Sequence, residues 1–292
     1  MSTAAQEPNA AAGTSGAPGT SGWSGARYVA LGSSYASAPG LGRPVPGSPA
    51  EAGRTDANYA HLLAGQLQMS LTDATSSGAT TADLLWRSQY GQPPQSDSLD
   101  ADTDLVTVTI GGNDIGYAAS LMAAGLPPLA RLKHLPSLEM LKGLTPAVQN
   151  RRLALLPAAM ASVGQLIRRR SPRAVVLFVE YLTVLPPDPR VRVAGMKPAS
   201  AAAGRELAVH LALATEAGAT ATGCSVVRVA KASLDHYAGS EEPWTVGGFV
   251  PVEGGPLPFH PNQAGHEAVA QMIRDHLSRL AGTHSGQPVR MD

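Results

Sequence analysis

The chain of 292 residues has one cysteine, little charge and no long apolar run, and each scarcity removes a class of explanation. A lone thiol, Cys224, can form neither an internal disulfide nor a cysteine-based zinc cluster, which fits a reducing, cytoplasmic setting. Lys and Arg number 22 and Asp and Glu also 22, so the formal net charge is zero before the 8 histidines are counted. A sequence-independent nucleic-acid binder needs surplus cations to release counterions, and a peripheral membrane protein needs a basic face, so neither is expected. Charged residues make up 15% of the chain, which leaves a surface of neutral polar and small apolar groups. No apolar stretch reaches the roughly 18 residues of a membrane span, so stable membrane insertion is not expected. The histidines offer no His-Glu-x-x-His spacing, which leaves a metal site without support. A Gly-x-Ser-x-Gly elbow and a glycine-rich phosphate loop are also missing, which argues against an α/β-hydrolase and a nucleotide enzyme.

What is present is a hydrophobic content of 43%, ample for a core, with 31 Gly and 24 Pro to make turns. Of the first 25 residues 20 are Ala, Gly, Ser, Thr or Pro, without a basic start or an apolar stretch, so residues 1–25 read as a flexible tail rather than a secretory signal. One domain is expected over 26–284, acting as a monomer, followed by a short tail over 285–292.

Short apolar runs alternate with helical patterns along that domain. Strands are predicted at Tyr28 to Leu31, near Met69 to Thr72, at Leu105 to Ile110, at Ala174 to Val179 and at Val226 to Val229. The third is the plainest, since it is rich in β-branched residues and stops at Gly111-Gly112. Helices are predicted over Asn58 to Gln68, up to Arg170, over 200–221, and through Val269, Met272, Ile273, Leu277 and Leu280, which share one face at a 3.6-residue period. The alternation predicts an α/β fold with a mainly parallel five-stranded sheet.

Ligands of such sheets sit beyond the carboxyl ends of the strands. Gly32-Ser33-Ser34-Tyr35 follows the first strand, Ser76-Ser77-Gly78-Ala79-Thr80 the second, Gly111-Gly112-Asn113-Asp114 the third, and Phe259-His260-Pro261-Asn262 lies beyond the fifth. Each alone reads as an ordinary turn or helix cap, with Asn262 a natural cap for the last helix. Together they bring a hydroxyl, glycine amides, a side-chain amide and an imidazole to one edge. Acyl transfer needs that set, because a serine hydroxyl attacks only when a base takes its proton and the oxyanion needs donors already in place. Ser34 is the candidate nucleophile and His260 the base. The amides of Ser34 and Gly78 and the side chain of Asn113 are the candidate oxyanion donors.

These four ordered segments resemble the sequence blocks of the SGNH (GDSL-type) hydrolases, serine esterases and lipases whose name spells the Ser, Gly, Asn and His that correspond here to Ser34, Gly78, Asn113 and His260. The resemblance spans nearly all the chain after the tail. It implies a three-layer α/β/α flavodoxin-like fold, a carboxylic ester substrate of small-molecule or lipid-like kind, and no metal or organic cofactor.

Two positions depart from the family pattern. Ser33 stands where the family has an aspartate before its nucleophile, which predicts altered hydrogen bonding in the turn with the chemistry retained. Leu257 stands where the family has the aspartate that orients the histidine. An orienter fixes the tautomer, and its loss from a triad costs about 10,000-fold. A main-chain carbonyl of Leu257 or Pro258, in a loop stiffened by prolines at 256, 258 and 261, is one replacement. A carboxylate from Glu253, Asp235 or Glu242 is the rival.

His236, Trp244 and His266 read as packing residues. The Leu- and Met-rich stretch from Leu121 to Leu144 is either a wall or lid of an acyl pocket or a helix packed on the sheet. Acyl transfer to an alcohol or amine is an alternative reaction. A non-catalytic binding protein on a degenerate hydrolase fold is the alternative from another class, raised by the missing acid at 257.

Overall fold

Five short segments pair, all in parallel, into one sheet of order β2-β1-β3-β4-β5: β1 Arg27–Gly32, β2 Ser70–Asp73, β3 Leu105–Thr109, β4 Val175–Val179 and β5 Ser225–Val227. The computed structural model describes residues 21–127, 129, 132, 139, 141–248 and 255–284. In register, Gly32 lies opposite Thr109, Ala30 opposite Asp73 and Val108 opposite Phe178. The carboxyl ends of four strands therefore finish side by side.

The side-chain period of two divides each strand between two apolar layers. Val29, Leu31, Val106, Val108, Val176 and Phe178 face one layer, whereas Tyr28, Ala30, Leu105, Leu177 and Val179 face the other. The first layer is closed by α4 (Tyr117–Gly125), α5 (Pro146–Arg170) and α6 (Pro198–Thr220), after the short α1 (Ser34–Ser37), α2 (Tyr59–Leu67) and α3 (Thr81–Leu85). The second is closed by α2 and by the last described helix, α8 (Gln263–His284), which follows the one-turn α7 (Val229–Ala232). The result is the three-layer α/β/α sandwich.

Strand β3 is buried on both faces, so its threonines need partners. Tyr28 Oη meets Thr107 Oγ1 at 2.7 Å and Tyr59 Oη meets Thr109 Oγ1 at 3.0 Å. Burial pushes the Tyr59 phenol up to about 12, which keeps it a neutral hydrogen-bonding group. Helix starts obey capping chemistry. Asn58 accepts from the amides of Ala60 and His61, and Asn262 from that of Gly265 at 2.9 Å, each bond worth about 1 kcal/mol.

Element ends differ slightly from expectation. The second strand begins one residue later, at Ser70. Val229 starts α7 instead of ending β5, because its side chain is buried in either conformation and hydrophobicity does not separate them.

Candidate active site

Strand β1 ends at Gly32, whose amide and carbonyl are both held by the side chain of Gln95, at 2.8 and 2.9 Å. Ser33 donates its amide to Thr109 O at 2.9 Å and serves as the cap of α1, so Ser34 opens that turn with its N–H free of any acceptor among the described residues. The loop after β2 carries Gly78 at φ +76°, a left-handed conformation in which any side chain is strained. Its amide also has no acceptor among the described residues, while the neighbouring Ser77 carbonyl is fixed by Gln89 Nε2 at 2.9 Å.

Asn113 sits in the turn after β3 and gives one amide hydrogen to Ala79 O at 2.8 Å, which leaves the other hydrogen uncommitted. Its neighbour Asp114 accepts from Thr81 N at 3.1 Å and from Thr81 Oγ1, tying the turn after β3 to the loop after β2. Burial raises the Asp114 carboxyl above its ordinary range, against the pull of those hydrogen bonds.

His260 enters from a loop that leads into α8. Nε2 lies 2.8 Å from Ser34 Oγ, and Nδ1 lies 2.9 Å from the carbonyl oxygen of Pro258. A carbonyl only accepts, so Nδ1 carries the proton and Nε2 presents its lone pair to the Ser34 hydroxyl. Both side chains are buried.

Of the two carbonyls expected as orienting candidates, that of Pro258 is the one facing Nδ1. Leu257 O instead accepts the main-chain amide of His260 at 3.2 Å. Two of the rival acids are placed elsewhere: Asp235 is exposed on a turn, and Glu242 is exposed with its main-chain carbonyl bound to His236 Nδ1 at 2.7 Å, and neither is among the residues that line the cleft around His260. Glu253 lies outside the described residues.

Ser34, Gly78, Asn113 and His260 line one cleft of about 190 Å3, together with Ser77 and Tyr90. Ala118, Ala119 and Met122 of α4 and the side chain of Leu257 form its apolar side. The Leu- and Met-rich stretch therefore divides: Met122 reaches the cleft, Leu121 and Leu126 are buried, and Leu129 and Leu132 are exposed. Leu135, Leu138 and Met140 lie outside the described residues.

His236 stacks flat on Trp244 at 3.8 Å, away from the cleft. His266 is buried, accepts from Tyr59 N at 3.3 Å, and is held neutral by burial first and by His260 second, its pKa falling to about 3. Among the described residues no group of three or more His, Cys, Asp and Glu side chains is placed to hold a metal ion.

Sequence reasoning missed a set of tyrosines behind the histidine. Tyr35 lies 4.5 Å from Tyr181 and 4.7 Å from His260 between ring centres, and its hydroxyl donates to Phe259 O. Tyr181 Oη accepts the Gly112 amide at 3.1 Å and bonds Ser33 Oγ at 3.0 Å. Burial pushes both phenols well above their usual range, so they act as neutral hydroxyls. The altered turn expected at Ser33 is this contact. Its position was the one signal: Tyr181 stands just past the end of β4, where a tyrosine otherwise reads as core.

The profile of the GDSL-like Lipase/Acylhydrolase family matches residues 30–268, which include all four of these side chains. The chain belongs to this family. As a GDSL-like hydrolase it is similar to Lipase 2 of Streptomyces coelicolor, 32% identical over 270 residues that cover 86% of this chain and 85% of that one. The lipase of Streptomyces rimosus is 29% identical over 243 residues, covering 82% of this chain and 81% of its own. Among solved structures, phospholipase A1 from Streptomyces albidoflavus NA297 superposes with a TM-score of 0.65 at 25% identity, covering 87% of this chain and 99% of that chain. The extracellular lipase of S. rimosus superposes with 0.62 at 26% identity and the same coverage. The GDSL-like fold and these lipase relatives make the protein a carboxylic ester hydrolase. No helix among its described residues is long and apolar enough to cross a membrane.

Proposed function

We propose that the enzyme hydrolyses lipid-like carboxylic esters through an acyl-enzyme on Ser34. The observation that carries this reading is the relay from the Pro258 carbonyl through His260 to Ser34 Oγ, with its 2.9 and 2.8 Å contacts. His260 Nε2 takes the hydroxyl proton as Oγ bonds to the ester carbonyl carbon, and the carbonyl electron pair moves to oxygen. The amides of Ser34 and Gly78 and the free amide hydrogen of Asn113 receive that oxyanion; one such donor is worth about 100- to 1,000-fold in rate. As the intermediate collapses, the alcohol leaves with the proton from His260. Water, deprotonated by His260, then attacks the acyl carbon, and as this second intermediate collapses His260 returns the proton to Ser34 Oγ and the carboxylic acid departs.

A neutral carbonyl stabilises the imidazolium less than a carboxylate does, since charge-assisted hydrogen bonds are about twice as strong. It still fixes the tautomer. The Pro258 carbonyl at Nδ1 thus supports a catalytic histidine over a non-catalytic binding protein.

The apolar side of the cleft supports an acyl group as its occupant, and the lipase and phospholipase A1 relatives support a lipid ester. The test is turnover of chromogenic esters of graded chain length by wild type and Ser34→Ala, with products analysed in the presence of alcohols and amines. Hydrolysis by wild type alone supports the reading. Equal rates in both remove Ser34 from its role, and acylated alcohol or amine as the main product makes the enzyme an acyltransferase.

A further inference from the structure

A second concavity opens on the same edge of the sheet. The chain leaving β4, the helix α6 and the turn α7 enclose a groove of about 510 Å3, well within the range of roughly 300–1,000 Å3 typical of small-molecule sites. It shares no lining residue with the catalytic cleft. The rings of Tyr117 and Tyr181 stand at its inner wall, and Ala118, Ala119 and Met122 of the same α4 face the catalytic cleft instead.

The lining is apolar where it is deep and cationic at two places. Val184, Leu185, Ala208, Ala212 and Leu234 supply most of the wall, and Leu234 remains 43% exposed although it is a large apolar side chain. The charged lining residues are Arg205 and Lys231, both of one sign. Arg205 is half-buried and anchored by Nε on Pro186 O, and its terminal nitrogens have no hydrogen-bond acceptor among the described residues. Lys231 is exposed and makes no ion pair among the described residues. The acid that feels Arg205, Asp188, is already held by Arg190 at 2.8 Å. A groove of this kind is matched by a ligand with one flexible apolar tail and one negative charge.

We propose that this groove is a second ligand site, distinct from the catalytic cleft, that takes the tail of a fatty carboxylate and pairs its head group with Arg205 and Lys231. The tail replaces water against the alanine and leucine wall, which gives affinity, and the two cations select the anion, which gives specificity. The site needs no turnover at Ser34, so it stands or falls apart from the proposed hydrolysis.

The experiment uses the full-length Ser34→Ala protein, with a fluorescent fatty-acid probe displaced by dodecanoate, dodecan-1-ol or dodecyltrimethylammonium below their micelle concentrations. Dodecanoate is expected to bind with unit stoichiometry and to displace the probe about tenfold more tightly than the alcohol, with the cation weakest. Ala208→Trp and Ala212→Trp, at half-buried positions, each fill the groove and are expected to weaken dodecanoate by about tenfold or more. Lys231→Gln, or the double change with Arg205→Gln, is expected to bring dodecanoate down to the level of the alcohol. Circular dichroism identifies the variants that remain folded. The proposal is overturned by absence of dodecanoate binding up to about 1 mM, by equal affinity for all three amphiphiles, or by folded tryptophan variants that bind as the parent does.

Discussion

Tyr35, the residue after Ser34, donates its hydroxyl to the main-chain carbonyl of Phe259, the residue before His260. The two loops that must keep Oγ and Nε2 at 2.8 Å are thereby joined by one bond outside the relay itself. Phe259 adopts φ +59°, a left-handed conformation that costs a non-glycine residue about 1–3 kcal/mol and persists only where neighbours hold it. Tyr35→Phe keeps the ring against His260 and removes the tether. Because a buried carbonyl is left unpaired, the expected result is a loss of about 1–3 kcal/mol of stability and a fall in kcat of about tenfold with little change in KM. Unchanged kcat with lowered stability would make Tyr35 a packing residue only.

Tyr181 and Ser33 give an asymmetric prediction. Tyr181 Oη serves two partners, Gly112 N–H and Ser33 Oγ, whereas Ser33 Oγ is joined to Tyr181. Tyr181→Phe strands a buried amide, with an expected cost of about 1–3 kcal/mol, and Ser33→Ala is expected to cost about 1 kcal/mol or less. Urea unfolding of the two variants measures the difference, and the reverse ranking would contradict the assignment of Tyr181 as the shared partner.

Replacing the acids tests what orients His260. With Pro258 O in that place, Asp235→Asn and Glu242→Gln, both at exposed positions, are each expected to keep activity within about twofold, and Glu253→Gln is measured beside them. A loss approaching the roughly 10,000-fold that follows removal of a triad carboxylate, at any one of them, would transfer the orienting role to that acid.

Placement of the main chemistry at strand ends was legible because the strands are short β-branched runs that stop at glycine, and a parallel sheet aligns whatever follows them. The position of Ser34, Gly78, Asn113 and His260 around one cleft follows from that rule. The partner of Nδ1 was legible only as a set of candidates, the carbonyls of Leu257 and Pro258 and three acids, since a main-chain carbonyl leaves no trace in residue identity beyond the prolines that stiffen its loop. Tyr181 was hidden for another reason: a tyrosine next to a buried strand looks like core, and only its hydroxyl contacts with Ser33 and Gly112 show otherwise. Met122 and Leu121, adjacent in sequence, show why the Leu- and Met-rich stretch resisted a single assignment, as both belong to the core and Met122 also lines the cleft.

His266 predicts a pH-dependent stability. Its pKa in the folded protein is about 3, against an ordinary value near 6.5, because burial disfavours the imidazolium and His260 adds to this. The unfolded chain therefore binds a proton that the native state does not, and stability falls as pH drops from about 6.5 toward about 3, by up to about 1.4 kcal/mol per pH unit. His276 is also shifted down, by partial burial first, and adds to the slope. His266→Asn keeps an acceptor for the Tyr59 amide and removes the titration. Denaturant melts between about pH 7 and about pH 5 should show a flatter profile for this variant by up to one proton; identical slopes would show that His266 does not carry the effect.

The central claim is that Ser34 Oγ forms a covalent bond with the acyl carbon of the substrate, and acid-quenched mass spectrometry during turnover of a slowly deacylating ester measures it directly. The account predicts a mass increase of one acyl group, mapped to the peptide that contains Ser34, present in wild type and lost in both Ser34→Ala and His260→Ala. Steady hydrolysis by wild type without any acylated peptide, or with the acyl group on a different residue, would contradict it.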